Sequence, residues 1–520
     1  MYRFNSGNDF STRSKNKQLA INMLSSFVAF AVNFSINFFL TPFVVKKLGV
    51  EAYGFLKLSS DIIGYTSIIT IALNSMAGRF ITIKYQEGKV DDANKFFSSV
   101  FYSNLILSIL VVLILFFFLI NLEVFFTIPP GLIIDVKLLF FFSIITTIIS
   151  LLTNVYGVAT FIKNRLELSS VRQIIGNIIR LILIIFLFVF FPAHLWYYGV
   201  TGVIMTLYLS FTNYKFCCYL TPELYLSRRN FDWTKVIELL KSGMWNVINR
   251  LGTIMGQGFD MVIANVCISA TAMGLFSISK SIPVLILSFF GMLSGVFAPL
   301  FTQLYAQHKH KELKAEFSKS IRICGFFANI PLTCLFVYGD CFYKLWLPGE
   351  DSQKLQLLTI VGSLELILSM PLEPLWNIFT ITNRLKYSTL VLISVNILIF
   401  STLLFSMTFV SSPFYRLIFL VGASSFWNSL KNLFFLPLYG AHCMNFARTF
   451  FYRPLLMSVV SFCICCIAGK IFRLFFTIES WGDILSISVI IFIICTMINS
   501  IFMLKQTDRQ FIIQKILRLK

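Results

Sequence analysis

The sequence predicts an all-α, polytopic membrane protein with about 14 transmembrane helices. Two six-helix bundles related by a pseudo-two-fold axis along the membrane normal, plus two C-terminal helices, make up the expected plan. Three observations lead there: apolar residues far outnumber charged ones, basic residues gather in alternate loops, and one stretch repeats at a constant offset. Of 520 residues 57% are hydrophobic and 13% charged, against roughly 45–50% and 25% in soluble domains. Lipid therefore bathes most of the surface, and the 59 Phe residues are too many for a compact water-soluble core to enclose.

Apolar windows of near-bilayer length centre on Ala31, Ile69, Ile109, Ile145, Ile184, Leu207, Gly256, Gly291, Phe327, Ile367, Phe400, Leu420, Phe462 and Ile493. Between them the basic residues alternate. One set of loops holds Arg3, Arg13, Lys15 and Lys17, then the clusters around Lys89, Arg172, Arg229, Lys311, Arg384 and Arg448, and the tail from Lys505 to Lys520; the opposite set has only Lys46, Lys47 and Lys57 as a cluster. The positive-inside rule places both termini in the cytoplasm. The net charge of +20 then reflects topology and contact with anionic bilayer lipids, not nucleic acid. The cysteines lie mostly inside apolar segments without a zinc or secreted-domain spacing, and read as small buried apolar residues. The apolar segment after Leu19 is too long for a signal peptide and reads as a retained first helix.

Residues 52–98 align without a gap on 272–318, an offset of 220. Gly54 matches Gly274, Ser59 matches Ser279, Tyr85 matches Tyr305, Lys89 matches Lys309, and Phe97-Ser98 matches Phe317-Ser318. An offset that spans six helices returns the chain to the same side of the membrane, the signature of parallel repeats in transporters. The expected domains are an N-terminal bundle (1–220), a cytoplasmic linker (221–241), a C-terminal bundle (242–440), and two extra helices with a basic tail (441–520).

The first helix carries Asn22, Ser26, Asn33 and Asn37 on one face, and adding 220 gives Ser242, Asn246, Thr253 and Gln257, the same kind of stripe. The second stripe gains Asn249, Arg250 and Asp260, where Phe30 and Leu40 stand opposite the two charges. Charged side chains near mid-bilayer need a partner or a wet cavity, whereas the amides and hydroxyls serve equally well as glue between helices. Arg180, Lys431 and Asp61 are further intramembrane charges. Glu365, Ser369, Glu373 and Asn377 recur every four residues, in a helix interrupted by Pro371 and Pro374. Two carboxylates beside freed carbonyls suit coupling to Na⁺ or H⁺, and a structural pair with Lys431 or Arg180 fits as well. Asp260, Glu365, Glu373 and Asp61 are the ion-coupling candidates; no other cofactor is expected. The sequence has no phosphate-binding Gly loop, His308 and His310 sit in a Lys-rich solvated loop, and the longest outer turns, Asn121 to Gly131 and Gly339 to Pro348, are too small for an outer active site.

The stretch KKLGVEAYGFLKL after the first helix, its echo ATAMGLFSISKSI, and the fourteen-helix plan resemble the Wzx-type polysaccharide flippases. These belong to the multidrug/oligosaccharidyl-lipid/polysaccharide exporter superfamily, and the likeness covers nearly the whole chain; its sharpest motif is Leu48, Gly49, Tyr53 and Gly54. The resemblance implies a bacterial inner membrane and alternating access for an undecaprenyl-pyrophosphate-linked repeat unit of O-antigen or capsule. A polysaccharide polymerase and chain-length machinery would be its partners. It also implies that cationic cavity residues hold the pyrophosphate. Arg250 takes that role, with Asn246, Asn249, Thr253, Gln257, Asn33 and Asn37 as its polar surroundings. The first helix departs from the pattern in having no basic residue within its apolar core.

Two other readings compete. A multidrug cation antiporter of the same superfamily would need a net acidic cavity, built from the four carboxylates with Arg250 turned away. A membrane-embedded sugar polymerase or ligase would need a large outer loop bearing acid–base residues.

Overall fold

The computed structural model describes residues 15–163, 165–257, 259–382 and 384–503. Arg3, Arg13 and the tail from Lys505 to Lys520, on which the placement of the termini leans, lie outside the described residues. The described chain is helical, and it forms two compact units, Met1–Ile254 and Met255–Lys520.

The first unit contains α1 (Lys15–Leu48), α2 (Val50–Tyr65), α3 (Ser67–Gln86), α4 (Val90–Ile120), α5 (Ile133–Thr153), α6 (Leu166–Phe190), α7 (Tyr197–Leu220) and most of α8 (Trp233–Gln257). Within it α1 packs on α6, α3 on α4, and α5 and α6 on α7. Helix α8 begins inside the stretch assigned to the linker. The remaining connector is short and is fastened to the start of α4. Asn94 Nδ2 donates to the Glu223 carbonyl and its Oδ1 accepts from Tyr225 N–H, both at 2.9 Å. Ser98 and Ser99 accept from the backbone of Ser227 and Asp232 at 3.2 and 2.9 Å.

The second unit contains α9 (Ala270–Ala306), α10 (His310–Trp346), α11 (Ser352–Ser363), α12 (Leu366–Leu372), α13 (Leu385–Phe409), α14 (Pro413–Leu430), α15 (Leu436–Cys443), α16 (Tyr452–Arg473) and α17 (Trp481–Met503). Helix α10 is its axis, touching α9, α11, α12, α16 and α17. It runs on to Trp346, so the outer loop expected from Gly339 is mostly helix. Arg473 holds that last turn, donating to both oxygens of Asp340 at 2.9 and 2.6 Å. Deeper along α10, the buried Asn329 donates to Asn499 Oδ1 at 3.0 Å and to the Ser458 carbonyl at 3.1 Å, and Asn499 donates to the Phe326 carbonyl at 2.9 Å. Such amide pairs fasten helices where no water competes.

Among the described residues nine helices are long and apolar enough to cross a membrane; the bent pairs α2–α3 (59°) and α11 with Leu366–Ile381 (45°) bring the number to 11. Every window centre read from the sequence lies in a helix. Those near Leu207, Gly256 and Leu420 fall in α7, α8 and α14, which are outside that set. All eleven cysteines are free, and Cys218, Cys267 and Cys463 are exposed, contrary to the expectation that they are buried.

The repeat is visible in the backbone. Helices start at Val50 and Ala270, and again at Val90 and His310. Before the second start, Gly88 and His308 hold positive φ angles of 75° and 54°, and Lys89 and Lys309 N–H donate to Lys84 and Leu304 carbonyls at 3.0 Å each. His308, read as part of a solvated face, is the left-handed residue of this turn, a conformation in which His is enriched among non-glycine residues. Both halves also break a later helix into a 3₁₀ turn, at Asn154–Gly157 and at Glu373–Leu375. The first of these contains no proline, so the break is a property of the fold that Pro374 accompanies.

Candidate functional site

The break between α2 and α3 follows from its sequence, Gly64-Tyr65-Thr66-Ser67. A glycine followed by two hydroxyl residues loosens the helical ladder. The hydroxyls then take up the freed carbonyls: Ser67 Oγ donates to Gly64 O at 2.6 Å and Thr66 Oγ1 to Ile63 O at 2.7 Å. Ser67 Oγ also accepts from Arg250 Nε at 2.8 Å, so the predicted substrate-binding cation sits in the break, next to Gly64. One turn earlier, Asn246 Nδ2 donates to Ser75 Oγ at 2.9 Å, and Gly243 lies so close to the Ala72 backbone that a Cβ could not fit between them. The side chains of Asn249, Thr253 and Gln257 lie outside the described residues.

The polar stripe of α1 divides into two parts. Asn22 accepts from Glu167 N–H at 3.3 Å and Ser26 shares a 3.4 Å hydrogen bond with Ser170, both on α6; this lower part is helix glue. Asn33 and Asn37 are exposed and bonded to each other, with Asn37 Nδ2 donating to Asn33 Oδ1 at 2.8 Å. That leaves their outer edges free for a ligand. Asp61 is half-buried on α2, in the first unit, and the other three coupling candidates are in the second.

Those three meet at helix irregularities. Asp260, 4% exposed, precedes a π-helical turn over Ala264–Ile268 and pairs with Lys280 of α9 at 3.1 Å. Glu365 stands at the bend between α11 and α12, where its N–H donates to Ser425 Oγ at 3.2 Å. Its carboxylate is within electrostatic reach of Lys431, Lys280 and Asp260. Glu373 opens the 3₁₀ turn and faces Lys431. Lys431 in turn starts a second π-helical turn, Lys431–Phe435, and donates to Asn428 Oδ1 at 2.7 Å. A cavity of about 40 Å³ opens among Asp260, Lys280, Ser363 and Glu365, large enough for a water. Single π turns frequently mark functional sites, and two of them flank this one.

Sequence reasoning missed two residues. Lys280 lies inside the quoted echo ATAMGLFSISKSI, opposite Ser60, so a charge present in only one half was the available signal. Arg172 was placed in a basic loop, but it is 7% exposed within α6, because that helix starts at Leu166 and includes it. Arg180 contacts the ring of Tyr198 in the first unit, whereas Glu365 and Glu373 belong to the second.

The geometry can be set beside known proteins. A family model described as "Polysaccharide biosynthesis protein" matches residues 19–305. The "Uncharacterized membrane protein EpsK" of Bacillus subtilis (strain 168) is 26% identical over 513 residues, covering 97% of this chain and 99% of that protein. Among solved structures, the inward-facing conformation of a multidrug resistance MATE family transporter of the MOP superfamily superposes with a TM-score of 0.64 at 12% identity, covering 82% of this chain and 97% of that one. The lipid II flippase MurJ in an inward closed conformation gives a TM-score of 0.63 at 12% identity, over 93% and 98%. At these identities the two structures show a shared fold.

Proposed function

The chain belongs to the polysaccharide biosynthesis protein family, and from that premise we propose that it is a flippase for undecaprenyl-pyrophosphate-linked oligosaccharide repeat units, working by alternating access in the bacterial inner membrane. The observation that carries this reading is Arg250. Its Nε is anchored on Ser67 at 2.8 Å in the α2–α3 break, while its two Nη groups make no hydrogen bond among the described residues. A guanidinium fixed at one corner with its fork open suits bidentate capture of a diphosphate oxygen pair. Asn246, Asn33 and Asn37 supply amides of the kind that hydrogen-bond sugar hydroxyls. The family assignment and the fold shared with a lipid II flippase support a lipid-linked substrate.

Translocation of a lipid-linked oligosaccharide by the purified chain in liposomes tests the proposal. Arg250→Ala should abolish transport with membrane levels unchanged, and Arg250→Lys should retain part of it, keeping the charge and losing the fork. Transport at the normal rate by Arg250→Ala would remove the clamp.

The fold shared with a multidrug transporter and the carboxylates of the second unit favour a cation antiporter as the second reading. Lys280 and Lys431 count against it, since an organic cation would meet two fixed ammonium groups there. For the same reason H⁺ fits the coupling role of Asp260, Glu365 and Glu373 better than Na⁺, because a proton binds one carboxylate without needing a cage of oxygens.

A further inference from the structure

Among the described residues, buried polar groups along the seam of α6 and α7 lack the partners such groups nearly always have. Arg172 Nη2 donates to Ser169 Oγ at 3.0 Å, but its Nη1 has no partner. Eight residues on, Arg180 Nε has none. Between them Asn177, 8% exposed, leaves its Nδ2 unpartnered, and on α7 the Asn213 Oδ1 is an unpartnered acceptor. Each guanidinium lies over an aromatic ring, Arg172 at 5.5 Å from the centroid of Phe216 and Arg180 at 5.4 Å from that of Tyr198. The electrostatic neighbours of the two are Tyr208 and Tyr198, and neither has a carboxylate in reach among the described residues.

The arrangement is directional. Ile175, Ile178 and Ile182 form the exposed side of α6. Arg172, Gly176 and Arg180, spaced four apart, lie on another face of the helix, where Gly176 meets Met205 and Leu209 of α7. Arg180 stands near the middle of a 25-residue span, too deep to snorkel out to the headgroups. An unpaired arginine at that depth is costly, and helix glue alone would have been met by a carbonyl or carboxylate. The unpartnered nitrogens of Arg172, Asn177 and Arg180 are all donors. One chemistry satisfies them together, an anionic group with several acceptor oxygens, and the guanidinium fork favours phosphate. At 1.5 Å per residue the two arginines are roughly 12 Å apart along the helix axis, further than one diphosphate spans.

We propose that Arg172 and Arg180 are successive stations for the phosphate oxyanion of the lipid-linked substrate, with Asn177 donating between them, so that the headgroup passes one station at a time along the first unit. This rests on the flippase reading above. The aromatic faces of Phe216 and Tyr198 hold the guanidinium planes in place by cation–π contact. Asn213 adds the one acceptor, suited to a hydroxyl or a water.

The test uses the full chain in phosphatidylcholine nanodiscs, with undecaprenyl diphosphate as the probe. In an Arg250→Ala background, where the clamp cannot mask the seam, Arg172→Gln and Arg180→Gln together should weaken binding at least tenfold, and Arg172→Lys and Arg180→Lys together about threefold. If the Gln variants fail to fold, the Lys variants decide the matter through the rise in melting temperature that the diphosphate confers, which they should reduce. Binding unchanged in every variant overturns the proposal. So does equal competition by phosphatidylglycerol, which would make the seam a bilayer-lipid headgroup site. Translocation of a lipid-linked oligosaccharide separates the two readings. If the wild-type protein moves it and both Gln variants, with Arg250 intact, move it at the same rate, the stations fail and the flippase reading stands. If the wild-type protein binds the diphosphate and moves nothing, the flippase reading fails.

Discussion

In the first unit the helical run after Gly49 is broken at Thr66, and Arg250 is anchored in the break. The corresponding run in the second unit, α9, continues without a break from Ala270 to Ala306, and its Lys280 neutralises Asp260. The same contrast extends to the next matched helices. Leu166 and Leu385 start α6 and α13, 219 residues apart, so Arg172 and Arg180 correspond to Val391 and Ile399, and Glu373 corresponds to Asn154. Among the described residues, the first unit therefore holds cations without a carboxylate partner, Arg172, Arg180 and Arg250, and the second holds carboxylates and lysines that face each other. A single ancestral site kept in both copies would not look like this. Under the proposed function, this division would put anion handling in the first unit and response to an ion gradient in the second.

Four experiments put that division to the test. The largest effect is expected from Glu365→Gln combined with Glu373→Gln. A neutral amide cannot take up and release a proton, so transport driven by an imposed pH gradient should fall at least tenfold while diphosphate binding stays normal. A gradient response that survives both substitutions would end the coupling assignment. Next comes Lys280→Met, which strands the buried Asp260 without its partner and should destabilise the second unit by about 3 kcal/mol. Adding Asp260→Asn should restore most of the melting temperature, and failure to do so would mean that the pair is not the main contact of either residue.

The matched turns offer a smaller, more exact comparison. Gly88→Ala places a Cβ at φ 75° and should cost about 1 kcal/mol, whereas His308→Gly relieves the same conformation and should be neutral or stabilising by thermal melting. The smallest effect concerns the connector after α7. Hydrogen bonds from the Glu223 N–H and then from Tyr85 Oη, the latter at 2.8 Å, hold the Glu223 carboxyl below its ordinary range. A carboxyl depressed in the folded state contributes stability above its unfolded pKa, and that contribution is lost as pH falls through the folded value. Tyr85→Phe should move the Glu223 midpoint upward in a carboxyl NMR titration and bring acid release of the connector to a higher pH.

Much of this was legible in the sequence because lipid imposes simple rules. Apolar windows found the helices, and the offset of 220 found turns that agree down to a left-handed residue. The site was only half legible. Arg250, Asp260, Glu365 and Glu373 are charges inside apolar windows and were singled out for that reason. Arg172 was hidden by position, since a helix that starts at Leu166 carries its first turns through residues whose composition is that of a loop. Lys280 was hidden by its partner in space, as nothing in the sequence says that Asp260 will lie 3.1 Å from it. The break at Thr66 depends on hydroxyls bonding their own helix, and glycine followed by Thr and Ser occurs in many unbroken spans.

The last two helices are locked on α10. Asn329 and Asn499 are each buried to within 1%, and Gly325 has Ser458 and Met503 where a side chain would go. Without α16 and α17, this α10 would present a bare amide and a notch to lipid. A chain trimmed at residue 440 would therefore need a rewritten α10 before it could stand alone.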